Sequence, residues 1–310
     1  MAINNLKINK IKFEYLLKNI KPVEQTEDKE EITVDIDELT IDEKYKPYLK
    51  HFIKKTNANF NFRNSNEILR TLKINKLKKS KSKKYGATGY YNFYNNKIKI
   101  YIIDTIYHEL FHAFTYHETA KNYFCGFNQG NDYLDIANSL NEGYTDLLTK
   151  RYFDIEIAYM MEANIASKIE LMLGKEKMRS MYTANDLRGL IEFLSKHSSK
   201  QEAIGFITQM DKLDNYDYES KKAINLMNIL SNYLVDVYLN FLAENYSLGI
   251  IDNADVNNEL TKFKDKFVKH AFDDKKLKKE YLRSSDYFDI TSKLSNGNFQ
   301  KQLRKKVLTK

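Results

Sequence analysis

Three of the chain's six histidines, His108, His112 and His117, fall within ten residues, and the first two frame the pentapeptide HELFH with Glu109 between them. On an α-helix, residues four apart lie about 40° apart around the axis and one turn up, so His108 and His112 present their imidazoles to one point. Glu109 lies about 60° round from His112 and borders the same space. Two imidazole nitrogens at ~2.0–2.1 Å from a Zn2+ leave room for a water within reach of that carboxylate, which can remove a proton as the water attacks a carbonyl. Such a zinc needs a third protein ligand and an open position. Thirty residues after His112 comes Glu142, inside NEGYTD, Asn141 to Asp146. Glu142 and Asp146 are four apart on one helix face, so one carboxylate can bind metal while the other accepts a hydrogen bond from the far nitrogen of a ligating histidine. The plain alternatives are a solvated polar helix face for HELFH and, for NEGYTD, an acidic first turn that complements the helix dipole.

These side chains need two helices and something to hold them apart. DTIYHELFHAFTYH has Asp104 or Thr105 as N-cap, with Ile106, Leu110, Ala113 and Phe114 at helical spacing. Before it, GYYNFYNNKIKIYII (89–103) places aromatic and β-branched residues on both sides of Asn95-Asn96, a pair that tolerates the positive φ of a hairpin turn. Residues 118–138 read as a mixed Asn- and Gly-containing connection, long enough for the second helix to run back beside the first. Nearer the N-terminus, ITVDID alternates like a strand, 41–55 has helical spacing, NANFNFRN alternates again and Ser65 reads as the cap of NEILRTLK. A lysine-rich run, KINKLKKSKSKKYG, reads as a solvated loop. From about 150 onward 152–174, 184–196, 201–213, 219–246 and 256–282 all read as helix. Only 10 Gly and 2 Pro punctuate 310 residues, too few for a sandwich or barrel. The expected class is α+β: a small mixed sheet with an antiparallel edge hairpin and the HExxH helix, followed by a mainly helical C-terminal part. The expected divisions are 1–84, 85–150 and 151–310.

HELFH followed by NEGYTD resembles the gluzincin branch of the zincin metallopeptidases, whose pattern is HExxH and then NExx(S/T/A)D on a second helix. The resemblance spans about 85–150. It implies one zinc per chain held by His108, His112 and Glu142, with Glu109 as general base and Asp146 orienting a ligand histidine, by expectation His108. It also implies a peptide or protein substrate paired along an edge strand, with Thr88 to Tyr91 lining the groove. Thermolysin-like members add a His and a Tyr that stabilise the oxyanion. No motif marks them here, and Tyr144, Tyr159, Tyr182 and His197 are the candidates.

Other features support plainer readings. His117 points about 140° away from His112 and reads as a surface or helix-end residue. Cys125 reads as a small buried hydrophobe, with an inhibitory zinc thiolate as the alternative, and Met160, Met161 and Met172 read as core. A single cysteine excludes an internal disulfide and suits a reducing compartment. The N-terminal residues break every apolar run with Lys or Asn, so the expected location is the cytoplasm, with export by another route left open. The stripe Asn225, Asn228, Asn232, Asp236 and Asn240 makes Ala223 to Ala243 a core helix rather than a membrane span. The net charge is +8, and residues 261–310 alone hold 15 Lys+Arg against 6 Asp+Glu. That stretch is a solvated surface or a patch for nucleic acid or anionic lipid. Two further functional readings are a narrow regulatory protease of a mobile element acting on a repressor-like protein, and an inactive zincin-like protein or nucleic-acid binding module.

Overall fold

The computed structural model describes residues 30–78, 88–131, 134–218 and 220–269, together with 301, 304, 305, 307 and 308. Its class is α+β, with the strands in the first half and an almost wholly helical second half. Helix α1 (Lys46–Thr56) and helix α2 (Ser65–Thr71) precede strands β1 (Lys73–Lys76), β2 (Gly89–Asn92) and β3 (Lys97–Ile100). These strands form one sheet in the order β1-β3-β2, with β1 parallel and β2 antiparallel to β3, so β2 is an antiparallel edge. The turn between β2 and β3 is a 3-10 turn, Phe93–Asn95, closed by Asn96 at φ 45°. Asparagine tolerates that left-handed conformation, and the Asn96 amide ties the turn down by donating to Ile68 O at 2.8 Å and Thr71 Oγ1 at 2.7 Å.

Helix α3 (Ile106–Thr115) carries HELFH and is buried nearly all round. Behind it, Phe111 and Phe114 pack among Phe52, Phe60, Phe62 and Phe153, with ring centroids 5.0–6.5 Å apart. Each such ring taken from water contributes roughly 1.5–3 kcal/mol, and this apolar packing fixes how far α3 stands from its neighbours. A short helical turn at Ile103–Thr105 leads into α3, and no side chain caps it: Thr105 Oγ1 donates to Ile102 O at 2.7 Å. The cap expected from Asp104 or Thr105 is therefore not formed.

The connection between the two motif helices is more ordered than its sequence suggests. Strands β4 (Tyr116–Glu118), β5 (Tyr123–Cys125), β6 (Asn128–Asn131) and β7 (Leu134–Ile136) make a four-stranded antiparallel meander. Helix α4 (Asn138–Phe153) then carries NEGYTD, and its start is held from a distance by the Asp211 carboxylate, which accepts from Ala137 N at 2.9 Å and Ser139 N at 3.3 Å. Gly143 lets α4 cross helix α5 (Met160–Leu173) closely, since a Cβ there would stand 2.2 Å from the Glu162 carbonyl carbon.

Helices α6 (Lys175–Thr183), α7 (Leu187–Lys196), α8 (Lys200–Met210), α9 (Lys221–Ser247) and α10 (Asn253–Lys269) complete the C-terminal part. Among the described residues, no helix is long and apolar enough to cross a membrane. One hydrophobic core runs from Ile36 to Val307, and Met161 and Met172 lie in it with Met160 packed against it.

Four local expectations are corrected. The run KINKLKKSKSKKYG opens as strand β1 with Ile74 buried rather than as a solvated loop, and its residues 79–86 lie outside the described residues. ITVDID does alternate in burial, but it forms no strand; Asn66 holds it, accepting from Thr33 N at 2.8 Å and donating to Glu31 O at 2.7 Å, and Ile36–Glu38 turns into a 3-10 helix. Ser65 is the first helical residue rather than the cap, and the Glu30 carboxylate bonds its N–H instead. The helix expected over 152–174 is interrupted after Phe153, where Asp154 takes φ 57°. Residues 270–282 of the last expected helix, and most of the basic stretch 261–310, lie outside the described residues.

Candidate metal centre

The α3–α4 crossing brings three ligand-type atoms together. His108 Nε2 stands 2.9 Å from His112 Nε2 and 3.0 Å from Glu142 Oε2, and His112 Nε2 is 3.4 Å from the same oxygen. Each histidine is under one-tenth exposed. Among the described residues this is the one group of three such side chains that could hold a metal ion.

The group behind His108 fixes its tautomer. Asp146 Oδ1 lies 2.8 Å from His108 Nδ1, and a carboxylate can only accept there, so Nδ1 carries a proton and Nε2, the nitrogen turned to Glu142, is the one that would bind a metal once deprotonated. The other oxygen, Oδ2, accepts from Ala158 N at 2.7 Å and Tyr159 N at 2.6 Å. Asp146 thus ties the His108 ring to the chain reversal before α5, a second role that spacing in NEGYTD does not reveal. Behind His112, Nδ1 has Cys125 Sγ at 3.5 Å and Asn141 Nδ2 at 3.3 Å, while Asn141 Oδ1 accepts from Phe127 N. Cys125 is buried as expected, yet its sulfur makes a polar contact with the rear of His112, away from the point where the three ligand atoms meet.

Charge is retained in this dry place. Burial pushes Glu142 up, but His112 and His108 outweigh it and hold the carboxyl well below the usual range. Burial opposes protonation of His108, yet the bonds to Asp146 and Glu142 carry its pKa up to about 10, and His112 is likewise raised, chiefly by the Glu142 charge. Two imidazoles and a carboxylate that hold positive charge this firmly suit a divalent cation at the same point. The donor set, two nitrogens and one oxygen with His108 locked in the correct tautomer, fits Zn2+.

Glu109 is buried in the same cleft. Burial raises its pKa, and the two histidines pull against that rise. Its Oε1 faces the start of β2, where a Cβ on Gly89 would come within 3.2 Å of it and within 2.6 Å of Thr105 Oγ1. The cleft, about 560 Å3, is lined by Thr88 and the β2 residues Gly89 to Tyr91 on one side and by the meander, α4 and the 155–159 loop on the others.

No family model, curated protein or solved structure matches the chain. Its chemistry must be read from this cleft alone.

Of the four oxyanion candidates, only Tyr159 lines the cleft; its ring stacks on His108 at 5.9 Å and 25°. Tyr144 and Tyr182 are fully buried against Phe127, and Tyr182 bonds Thr145 Oγ1. His197 pairs with Glu244 at 3.0 Å in a separate surface pocket. His117 sits in β4 beside the Phe124 ring and lies outside the His108, His112 and Glu142 group. Tyr218, before α9, also lines the cleft and donates to Glu162 Oε2 at 3.1 Å. No periodic or spacing signal marks it, because it is brought in by tertiary packing of a loop.

Proposed function

We propose that the chain is a zinc-dependent metallopeptidase of gluzincin type. The observation that carries this reading is the convergence of His108 Nε2, His112 Nε2 and Glu142 Oε2 within 4.8 Å, with Glu109 buried in the same cleft. Held by these three side chains, zinc would supply a Lewis acid and a water acidic enough to deprotonate near neutral pH. The chain's own groups do the rest. Glu109, with a raised pKa, accepts a proton from the attacking water and returns it to the leaving amine. Asp146 keeps His108 in the ligating tautomer and, through the Ala158 and Tyr159 amides, holds Tyr159 beside the site. The Tyr159 phenol, kept protonated first by the Glu142 charge and then by burial, is the donor placed to bond an oxyanion. The side of β2 that pairs with no other strand among the described residues offers backbone groups to an extended peptide or protein substrate. The single buried cysteine suits work in the cytoplasm.

Elemental analysis of the dialysed protein beside Glu142→Ala tests the reading, together with hydrolysis of casein with and without chelator. About one zinc per chain, its loss in the variant, and chelator-sensitive cleavage are the expected results. A chain that takes up no zinc on refolding with the metal would overturn it.

A further inference from the structure

The side of the cleft toward His112 holds groups that metal binding and proton transfer leave idle. In the meander, Cys125 pairs with Asn128, and Gly130 pairs with both Tyr123 and Asp135. Because side chains alternate along a strand, Tyr123, Cys125, Asn128 and Asp135 share one face, and all four line the cleft. Gln129 and Ile136 take the opposite, buried face.

Asn128 is 8% exposed, and a relay fixes which way its amide points. Asp214 Oδ2 accepts from Asn138 Nδ2 at 3.0 Å, so Asn138 must turn its oxygen to Asn128, whose Nδ2 donates to it at 3.1 Å. Asn128 Oδ1 is therefore the free end, and it has no hydrogen-bond partner among the described residues. A buried acceptor without a donor destabilises the fold unless a ligand supplies one.

The surroundings specify the donor. Among the described residues neither Lys nor Arg lines the cleft, whereas Asp135 and Glu156 add carboxylates beyond those at the metal centre. Asp135 is hydrogen-bonded to the Tyr123 side chain, and the Tyr123 ring stacks on Phe93 at 4.7 Å, a flat wall for an alkyl stem or a cation. An ammonium or guanidinium offers several donors and no acceptor, so it satisfies the orphan oxygen and a carboxylate together. An acidic side chain would gain no donor from the Asn128 oxygen or the Asp135 carboxylate.

We propose that Asn128, Tyr123 and Asp135 form a subsite for a lysine or arginine side chain of the substrate, so that cleavage falls beside basic residues. This rests on the peptidase reading above, and the test separates the two. The zinc-loaded full chain is titrated calorimetrically with two series of peptide hydroxamates, the variable side chain lying N-terminal or C-terminal to the chelating group. In one series, Lys and Arg should bind at least about tenfold tighter than norleucine, the scale of a charge-assisted hydrogen bond, with Glu weakest. Asn128→Leu should erase most of that preference. Should Asn128→Leu fail to fold, Asp135→Asn, at an exposed position, should lower the preference and Asn128→Asp should raise it. Hydroxamates that all bind, with norleucine equal to Lys in both series, would overturn the subsite and leave the peptidase reading standing. No binding by any of them, with zinc present, would overturn both.

Discussion

Along α5 the chain buries Glu162, Lys168 and Glu170, and in the cleft it buries His108, Glu109, His112 and Asp146, yet the two regions treat charge in opposite ways. On α5 the ionisable groups are met one at a time. Arg151 grips Glu170 through two bonds of 2.9 and 2.6 Å, Asn164 accepts from Lys168, and Tyr218 donates to Glu162. Burial then pushes Glu162 up to about 8 and Lys168 down to about 7, toward their neutral forms. In the cleft, burial is just as complete, but the carboxylate and the imidazoles converge and hold each other charged. Convergence on one point, rather than burial, separates a candidate cation site from a dry structural network.

The strongest way to break that distinction is Glu109→Gln. The substitution keeps shape and leaves the three ligand atoms in place, so zinc content should stay near the wild-type value while hydrolysis falls by about 10²–10⁴-fold. Full activity in the variant would remove Glu109 from the chemistry.

Next comes the ligand set, where pH gives the sharper reading. Glu142→Ala should weaken zinc binding by more than the roughly 10–100-fold that loss of an outer partner costs, and Asp146→Asn should fall within that smaller range. Without metal, the raised pKa of His108 stabilises the fold fully below its ordinary 6.5, and the benefit is lost as pH climbs toward about 10. Zinc replaces those protons and binds more tightly as pH rises. The gap in melting temperature between zinc-loaded and chelator-treated protein should therefore widen from pH 6.5 to 9. A gap that narrows would mean that the histidines are not the ligands.

How much of this was legible beforehand follows the same line. His108, Glu109, His112, Glu142 and Asp146 stood out because each helix sets its residues by local geometry, and a spacing of four survives any tertiary arrangement. The edge hairpin was legible from its aromatic and β-branched runs around Asn95-Asn96. The meander was not: its strands are three or four residues long, too short for a period to emerge. Asp211, Glu30 and Tyr218 act across 35 to 74 residues of sequence or through loop packing, and nothing local announces them. ITVDID carried a true alternation but found no partner strand among the described residues.

On the α5 side, Glu170→Ala should destabilise without touching zinc. It leaves Arg151 without its two carboxylate bonds, and breaking a buried pair costs about 3–5 kcal/mol; with Arg151 28% exposed, about 2–4 is expected. Chemical denaturation reads the loss. Unchanged stability would mean that water replaces the carboxylate at little cost.

Lys168→Met should have the smallest effect and the opposite sign. Lys168 is fully buried, and burial is what lowers its pKa to about 7. The unfolded chain keeps the ordinary 10.5, so between pH 7 and 10.5 the unfolded state binds more protons and stability rises with pH. Below pH 7 the fold carries a buried ammonium at its full cost. Methionine fills a similar volume without that charge, and replacing buried ionic groups by apolar ones can stabilise by about 1–4 kcal/mol. Loss of the bond to Asn164 offsets part of the gain, which places the net at about 1 kcal/mol near neutral pH. The variant's advantage should shrink as pH rises toward 10 while zinc affinity stays as in the wild type. If Lys168→Met instead lowered stability at pH 7 as much as Glu170→Ala, α5 would hold a charge network as interdependent as the cleft, and the contrast between the two regions would fail.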